Sequence, residues 1–225
     1  MAGRGTRVAQ KYDLPKPLVY VQGRPLFGWA LAGLPLDIAD ELHIITSKHV
    51  AEVADLESET RKFIPSTLRV NVKVLVESTS GQAATVMAGL HEIDPDNGIL
   101  IFNCDTIISN DFPMDFNKRD GILGTFKSDN PGMSYVASEL GVVSRTAEKE
   151  RISRDASSGL YYFGSRAFFE RAYVKTTHQK ETFIAPLYNS MIADGLQVSS
   201  FEHRAVVPLG TSAEISWFES LPISQ

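Results

Sequence analysis

Residues 70–103 read VNVKVLVESTSGQAATVMAGLHEIDPDNGILIFN, and this stretch decides the fold class. Val70 to Glu77 alternates apolar and polar side chains, which predicts a strand. The alanine-rich stretch from Gly81 to Ile93 predicts a helix, and the almost wholly apolar stretch from Gly98 to Asn103 predicts a strand buried on both faces. Because the order is strand, helix, strand, we expect an α/β fold with a mostly parallel sheet flanked by helices.

The same alternation continues on the N-terminal side, where Glu41 to Thr46 predicts a strand and Lys48 to Phe63 a helix. After residue 120, short apolar runs separated by polar turns indicate more antiparallel pairing. A helix is predicted over 182–194, and a terminal helix begins at Gly210-Thr211-Ser212 with the spacing of a capped N-terminus. The expected architecture is therefore Rossmann-like, with a mixed but mostly parallel sheet.

Composition narrows the function classes. The net charge of −5 argues against a general nucleic-acid surface. The single cysteine, Cys104, excludes an internal disulfide and fits a reducing cytoplasm. The chain has no apolar run of about 18 residues and no signal-peptide pattern at its start. We therefore expect a cytoplasmic protein that binds neither nucleic acid nor a membrane.

Residues 1–18, MAGRGTRVAQKYDLPKPL, have the composition of a phosphate-binding loop. Gly3 and Gly5 lack a Cβ, so the backbone can approach a polyanion closely. The nearby cations are Arg4, Arg7 and Lys16. Pro15 and Pro17 flank the lysine and predict that it is held in extended geometry. Amide donors beside fixed cations predict that this loop binds a triphosphate.

The loop differs from the two commonest nucleotide-binding patterns. It lacks the Gly-Lys-Ser/Thr ending of a Walker loop, and Val8 stands where the dinucleotide pattern has its third glycine. Only Met1 and Ala2 precede the loop, although such loops normally follow a buried strand. Either a central first strand is missing or a neighbouring element replaces it.

Two further positions lie at predicted carboxyl ends of strands, where open α/β sheets bind ligands. Asp105 follows an apolar strand and is suited to hold Mg²⁺, which prefers one or two carboxylates and phosphate oxygens. The alternative is that Asp105 caps the next turn. Gln82 begins a helix and has the donor and acceptor needed to read a base edge. The alternative is an ordinary loop with a helix cap.

Other polar and aromatic residues give weaker indications. Lys149, taken singly, predicts a solvated surface charge. The run Tyr161 to Phe163 predicts buried core rather than a stacking platform. The five histidines lack the spacing of a zinc site.

These motifs together resemble the sugar-1-phosphate nucleotidylyltransferases, also called nucleoside-diphosphate-sugar pyrophosphorylases. The resemblance covers most of the chain, and within the family it is strongest to the branch that serves capsule and lipopolysaccharide synthesis. Its fold is related to that of the nucleotide-sugar glycosyltransferases. The segments that carry it are GRGTR (3–7), PKPL (15–18), VQGRPLFGWAL (21–31), SGQAATV (80–86), FNCDT (102–106), residues 141–143, 148–149 and 158–161, FIAPLYNSMIADG (183–195) and LGTSAEI (209–215).

The resemblance implies a single domain over 1–225, with a nucleotide-binding half (1–120) and an acceptor-binding half (121–225). It implies that a nucleoside triphosphate and a sugar-1-phosphate, or a similar phosphate monoester, react to give a nucleoside-diphosphate sugar and pyrophosphate. Arg7 would bind the leaving pyrophosphate, Lys16 the α-phosphate and Asp105 the Mg²⁺. The nucleotide-binding residues would be Gly3, Arg4, Gly5, Thr6, Gly81 and Gln82. The acceptor-binding residues would be Gly141, Lys149 and Gly159.

One position departs from the family pattern. The family commonly has a second metal-binding aspartate two residues before the late Gly-Thr, and here that position is Pro208. A second carboxylate would be absent or come from elsewhere, such as Glu202. Two other functions stay open: a glycosyltransferase that uses a nucleotide sugar, and a nucleotide-binding module without turnover. Self-association into a homo-oligomer also stays open.

Overall fold

The computed structural model describes residues 8, 11–177 and 181–222, apart from the side chain of Asn117. These residues divide into two compact units, each assembled from separate segments of the chain. Unit 1 takes the described residues within 1–79, 103–110 and 205–225, and unit 2 takes those within 80–102 and 111–204.

The strands of the described residues are β1 (Tyr20–Val21), β2 (Arg24–Pro25), β3 (Glu41–Ser47), β4 (Arg69–Leu75), β5 (Ile99–Ile101), β6 (Thr106–Ile108), β7 (Gly121–Lys127), β8 (Ser134–Glu139), β9 (Val142–Glu148), β10 (Asp155–Phe163), β11 (Val198–Glu202) and β12 (Val206–Pro208). The α-helices are α1 (Leu26–Ala32), α2 (Lys48–Val53), α3 (Leu56–Arg61), α4 (Gln82–Gly89), α5 (Arg166–Lys175), α6 (Leu187–Ala193) and α7 (Ser212–Glu219). Short 3₁₀ helices span Lys16–Leu18, Leu36–Ile38, Leu90–Glu92 and Phe116–Lys118.

The strands of the described residues of unit 1 form three separate pairs. β3 and β4 pair in parallel, whereas β1 with β2 and β6 with β12 pair antiparallel. The predicted helix over 48–63 is split into α2 and α3, because Ala54 is extended and Asp55 caps α3 by accepting from the Ser58 amide at 3.2 Å. Two apolar clusters hold the unit, one around Leu26, Leu209 and Ile215 and the other around Phe27, Ile44 and Leu56.

Unit 2 is built on a six-stranded sheet in the order β5-β10-β7-β11-β9-β8. β7 and β11 are parallel, and the other pairings of this sheet are antiparallel. Its core includes Phe163, Phe169 and Tyr188, none of which is measurably exposed. The buried Tyr188 hydroxyl donates to the Tyr162 carbonyl at 2.9 Å, so the one polar atom of this ring is paired.

The mixed α/β class predicted from the sequence is confirmed, and so is antiparallel pairing after residue 120. Parallel pairing among the described residues is nevertheless limited to β3 with β4 and β7 with β11, so it is less common than the sequence indicated. A strand ahead of Gly3 would lie outside the described residues. No helix in the described part of the chain is long and apolar enough to cross a membrane.

Candidate active site

The structure brings Lys16 into contact with Asp105 within unit 1. The Lys16 ammonium donates to Asp105 Oδ2 at 2.5 Å and to the Gly210 carbonyl at 2.8 Å. The lysine side chain is 12% exposed and that of Asp105 is 29% exposed, so the pair is shielded from bulk water on most sides. A shielded ammonium between two oxygens is a strong electrostatic feature, because screening weakens such contacts less than it does at an open surface.

The backbone around Lys16 explains why its side chain has one direction. Pro15 precedes a 3₁₀ turn over Lys16–Leu18, and the Leu18 amide donates to the Pro15 carbonyl at 2.8 Å. Pro17 and Leu18 are buried, which anchors the turn. The prediction that two prolines hold Lys16 in extended geometry is therefore wrong in conformation, because the lysine begins a helical turn.

The short antiparallel pair of β6 and β12 fixes the backbone next to Asp105. Pro208 pairs with Thr106, and the Leu209 amide donates to the Asp105 carbonyl at 2.8 Å. Position 208 is thus a direct neighbour of Asp105, and its proline side chain offers no ligand. Within the described residues, no group of three His, Cys, Asp or Glu side chains could hold a metal ion. The second carboxylate suggested from the sequence, Glu202, forms an ion pair with Lys127 at 3.2 Å.

The predicted phosphate loop lies outside the described residues. Its members are Gly3, Arg4, Gly5, Thr6 and Arg7. Cys104 lies in the turn before β6, and burial raises the pKa of its thiol, so it is not an activated nucleophile.

In unit 2, the turn at Gly81 is fixed by Thr182. Gly81 has φ 149° and ψ −170°, a conformation that is essentially restricted to glycine. The Thr182 carbonyl accepts from the Ala83 amide at 3.1 Å and its Oγ1 accepts from the Ala84 amide at 3.1 Å. Thr182 therefore satisfies two amides at the start of α4. Gln82, the predicted base-reading residue, is the first residue of that helix and is partly buried.

Lys149 occupies an unusual position directly after β9. Its φ of 55° is uncommon for a residue with a side chain. The Lys149 ammonium lies 4.5 Å from the centre of the Phe183 ring, 3.6 Å from Glu181 Oε2 and 3.9 Å from Glu148 Oε1. The side chain is 53% exposed, which agrees with the expectation of a solvated charge, but it has three organised neighbours.

The neighbouring Glu148 is more enclosed, with 16% of its side chain exposed. Burial raises its pKa, while a hydrogen bond from the Ser134 hydroxyl acts in the opposite direction. Burial also raises the pKa of Tyr161 to about 12, against hydrogen bonds with Ser157 and Ser134. Ser134 thus connects Glu148 to the part of β10 that contains Gly159.

The two predicted acceptor-site glycines both need positive φ. Gly159 has φ 86° and lies at a register shift in β10 between Ser157 and Tyr161. Gly141 has φ 80°, and its carbonyl accepts from the Ser200 amide at 2.8 Å. Ser134 links Glu148 with Tyr161, two residues after Gly159 in β10, whereas Gly141 contacts Ser200 in the middle of β11.

Sequence reasoning did not identify the Gly210 carbonyl, Glu181, Thr182 or Phe183. The sequence pattern around Gly210 predicts the start of a helix, and residues 182–194 are predicted as a helix, so neither pattern indicates these contacts. The proline at 186 was available as an indication that the helix begins later, since proline favours the first turn.

Comparison with known proteins places this chain in a family. The family model described as nucleotidyl transferase matches residues 1–217, so the chain belongs to that family. The family resemblance drawn from the sequence is thereby confirmed, and with it the class of enzyme: a nucleotidyltransferase.

Solved structures agree with this assignment. The nucleoside-diphosphate-sugar pyrophosphorylase from Vibrio cholerae RC9 is similar at 28% identity over 98% of both chains, with a TM-score of 0.87. The inositol-1-phosphate CTP transferase from T. maritima has the same fold at 12% identity, over 100% of this chain and 95% of that chain, with a TM-score of 0.75. The UTP-bound UGPase from Acinetobacter baumannii has it at 13% identity, over 97% and 89%, with a TM-score of 0.76. A comparison with curated proteins finds no match.

Proposed function

We propose that this nucleotidyltransferase condenses a nucleoside triphosphate with a sugar-1-phosphate, or a similar phosphate monoester, to give a nucleoside-diphosphate sugar and pyrophosphate. One observation supports this more than any other. In a chain of the nucleotidyl transferase family, the shielded Lys16 ammonium lies 2.5 Å from Asp105 Oδ2 and 2.8 Å from the Gly210 carbonyl. Transfer of a nucleotidyl group to a phosphate monoester requires a fixed cation beside a carboxylate.

In the proposed reaction, an oxygen of the acceptor phosphate attacks the α-phosphorus. The bond from that phosphorus to the bridging oxygen of the β-phosphate breaks, and pyrophosphate leaves with the electron pair. Lys16 neutralises charge that develops on the α-phosphate oxygens, and Arg7 neutralises the leaving pyrophosphate. The chain acts mainly by positioning the reactants and by stabilising charge.

The residues present fit Mg²⁺ as a cofactor supplied together with the nucleotide. Mg²⁺ typically binds one or two carboxylates and completes its shell with phosphate oxygens and water. Asp105 offers one carboxylate, and its neighbour at 208 is a proline. Asp105 would therefore hold the ion with substrate phosphates, and the ion would supply further charge neutralisation at those phosphates.

On the acceptor side, we assign Lys149 to the acceptor phosphate and Gly141 and Gly159 to its carrier. The Lys149 ammonium is exposed enough to meet a ligand and is oriented by Phe183. Gly81 and Gln82 would contact the base. We further propose one working domain over 1–225, in the cytoplasm, that serves surface polysaccharide synthesis and does not act on nucleic acid or at a membrane.

The test is release of pyrophosphate from each nucleoside triphosphate with a panel of sugar-1-phosphates and Mg²⁺. At least one pair should give turnover, and Lys16→Ala should lower it by at least ~10²-fold, because it removes a transition-state charge. Lys48→Ala is the control, since Lys48 is an exposed lysine that pairs only loosely with exposed Glu52 on α2, 3.7 Å away. Nucleotide binding without pyrophosphate from any pair would contradict the proposal and favour a non-catalytic nucleotide-binding module.

A further inference from the structure

Three consecutive residues of unit 2, Glu181, Thr182 and Phe183, connect the start of α4 with the Lys149 ammonium. Thr182 is fixed at the start of α4, since its amide donates to the Ser80 carbonyl at 2.9 Å and its carbonyl accepts from the Ala83 amide at 3.1 Å. Glu181 and Phe183 flank this fixed residue, and both contact the Lys149 ammonium.

Lys149 has a backbone conformation, φ 55°, that is unfavourable for a lysine by itself. A left-handed φ is unfavourable for a residue with a side chain, and surrounding contacts must compensate for it. The Lys149 amide donates to the Met133 carbonyl at 3.0 Å, which fixes the main chain. The Phe183 ring then lies 4.5 Å from the ammonium, within the range of a cation–π contact. Phe183 therefore positions the positive charge of the Lys149 ammonium.

The two carboxylates near this ammonium differ in how easily they can leave it. Glu148 is 16% exposed and is bound by the Ser134 hydroxyl, so it is held in place. Glu181 is 58% exposed, and its Oε2 is 3.6 Å from the ammonium, a distance that is beyond a good hydrogen bond. Exposed ion pairs of this kind are weak and rearrange at little cost.

We propose that Glu181 is the exchangeable counter-ion of Lys149, which the phosphate of the acceptor displaces, and that Phe183 holds the ammonium ready for it. Glu181 is then a specificity-determining residue. A dianionic phosphate compensates for the displaced carboxylate, whereas an acceptor that lacks this charge leaves Glu181 on the lysine. This inference rests on the proposed function, because it takes the acceptor phosphate as the ligand of Lys149.

The experiment compares the steady-state kinetics of the full chain and its Glu181→Gln variant. Loss of the competing charge should lower KM for the acceptor about 2- to 5-fold, in line with the strength of exposed ion pairs, while kcat and KM for the nucleotide stay unchanged. Glu181→Asp should behave like the wild type because it keeps the charge. Phe183→Leu should raise KM for the acceptor by a similar factor.

Two variants separate this role from general effects of charge and of folding. Glu150→Gln removes the same charge from a pair with Arg145, 3.1 Å away, and should leave KM unchanged. In a Lys149→Gln background, Glu181→Gln should have no further effect on KM, because the pair is already broken.

The outcomes distinguish the two proposals. A wild-type chain without pyrophosphate release for any substrate pair would overturn the proposed function and this inference with it. An active wild type in which Glu181→Gln leaves KM for the acceptor unchanged or raises it would overturn only the inference. An equal fall in KM with Glu150→Gln would also overturn it, since the effect would then be one of net charge.

Discussion

Replacing Gly81 by alanine tests whether Thr182 fixes the turn before α4. A Cβ added to Gly81 would lie 2.5 Å from the Thr182 carbonyl oxygen and 2.6 Å from its amide nitrogen. Both distances are too short for any real contact, and both atoms belong to the backbone, so the segment around Thr182 has to move. The same substitution also forces alanine into a conformation that is essentially restricted to glycine.

The structure gives the size of the effect. The backbone conformation costs alanine about 1–3 kcal/mol. Displacement of Thr182 would break the hydrogen bonds that it accepts from the Ala83 and Ala84 amides. Each of these bonds contributes about 0.5–1.5 kcal/mol net to the free energy of unfolding. Gly81→Ala should therefore lower the free energy of unfolding by about 2–6 kcal/mol in total.

Gly195→Ala is the matched control in the same unit. Gly195 also has positive φ, 82°, but no atom of the described residues would lie within 4 Å of a Cβ added there, so only the backbone cost of about 1–2 kcal/mol applies. Urea unfolding followed by circular dichroism measures both variants. A loss of stability for Gly81→Ala no larger than that for Gly195→Ala would refute the reasoning, because the contact with Thr182 would then contribute nothing.

Two further predictions concern the carboxylates. Asp105→Asn should lower pyrophosphate release at least ~10²-fold and remove its dependence on Mg²⁺ concentration, because the amide cannot replace the carboxylate charge. The control is Asp37→Asn, which changes an exposed aspartate in the same way. Normal activation of Asp105→Asn by the metal would show that Asp105 does not belong to the site. Burial raises the pKa of Glu148 above the ordinary 4.5. Between the pKa of the unfolded chain and that of the folded protein, the folded protein therefore keeps a proton that the unfolded chain has lost. The free energy of unfolding should therefore fall as pH rises upward from 4.5, and Glu148→Gln should remove that part of the fall. Denaturant unfolding at several pH values measures it, and an unchanged pH profile in the variant would contradict the burial argument.

Much of the fold follows from periodicity. β3, β4 and α4 lie where the alternating and alanine-rich stretches predicted them, and the Thr211–Glu214 capping box at α7 is present as expected. The run from Tyr161 to Phe163 is buried, as predicted. Local patterns of this kind depend on neighbours in sequence, which is why a single sequence can show them.

Features that depend on distant partners were not predictable in the same way. β6 and β12 have three residues each, and their pairing brings together positions about a hundred residues apart. The helix predicted from residue 182 begins only at Leu187, because Thr182 bonds to α4 instead of to its own helix. The excess of antiparallel pairing has the same origin, since strand direction is set by partners and not by the strand itself.

The candidate site shows a similar division. The expectation that Lys16 and Asp105 face a common ligand followed from strand ends and from a cation between prolines, and the two side chains are in contact. The neighbours of Lys149 were not foreseen, because Glu181 and Phe183 are more than thirty positions away and nothing in the local pattern marks them.

The contacts of Lys16 have a consequence for how the protein is made. Its ammonium joins residues that are 89 and 194 positions further along the chain. During synthesis, Lys16 leaves the ribosome long before either oxygen acceptor exists. The site can therefore assemble only after the chain has been translated through Gly210, and a chain cut short before that residue would carry the lysine without its carbonyl partner.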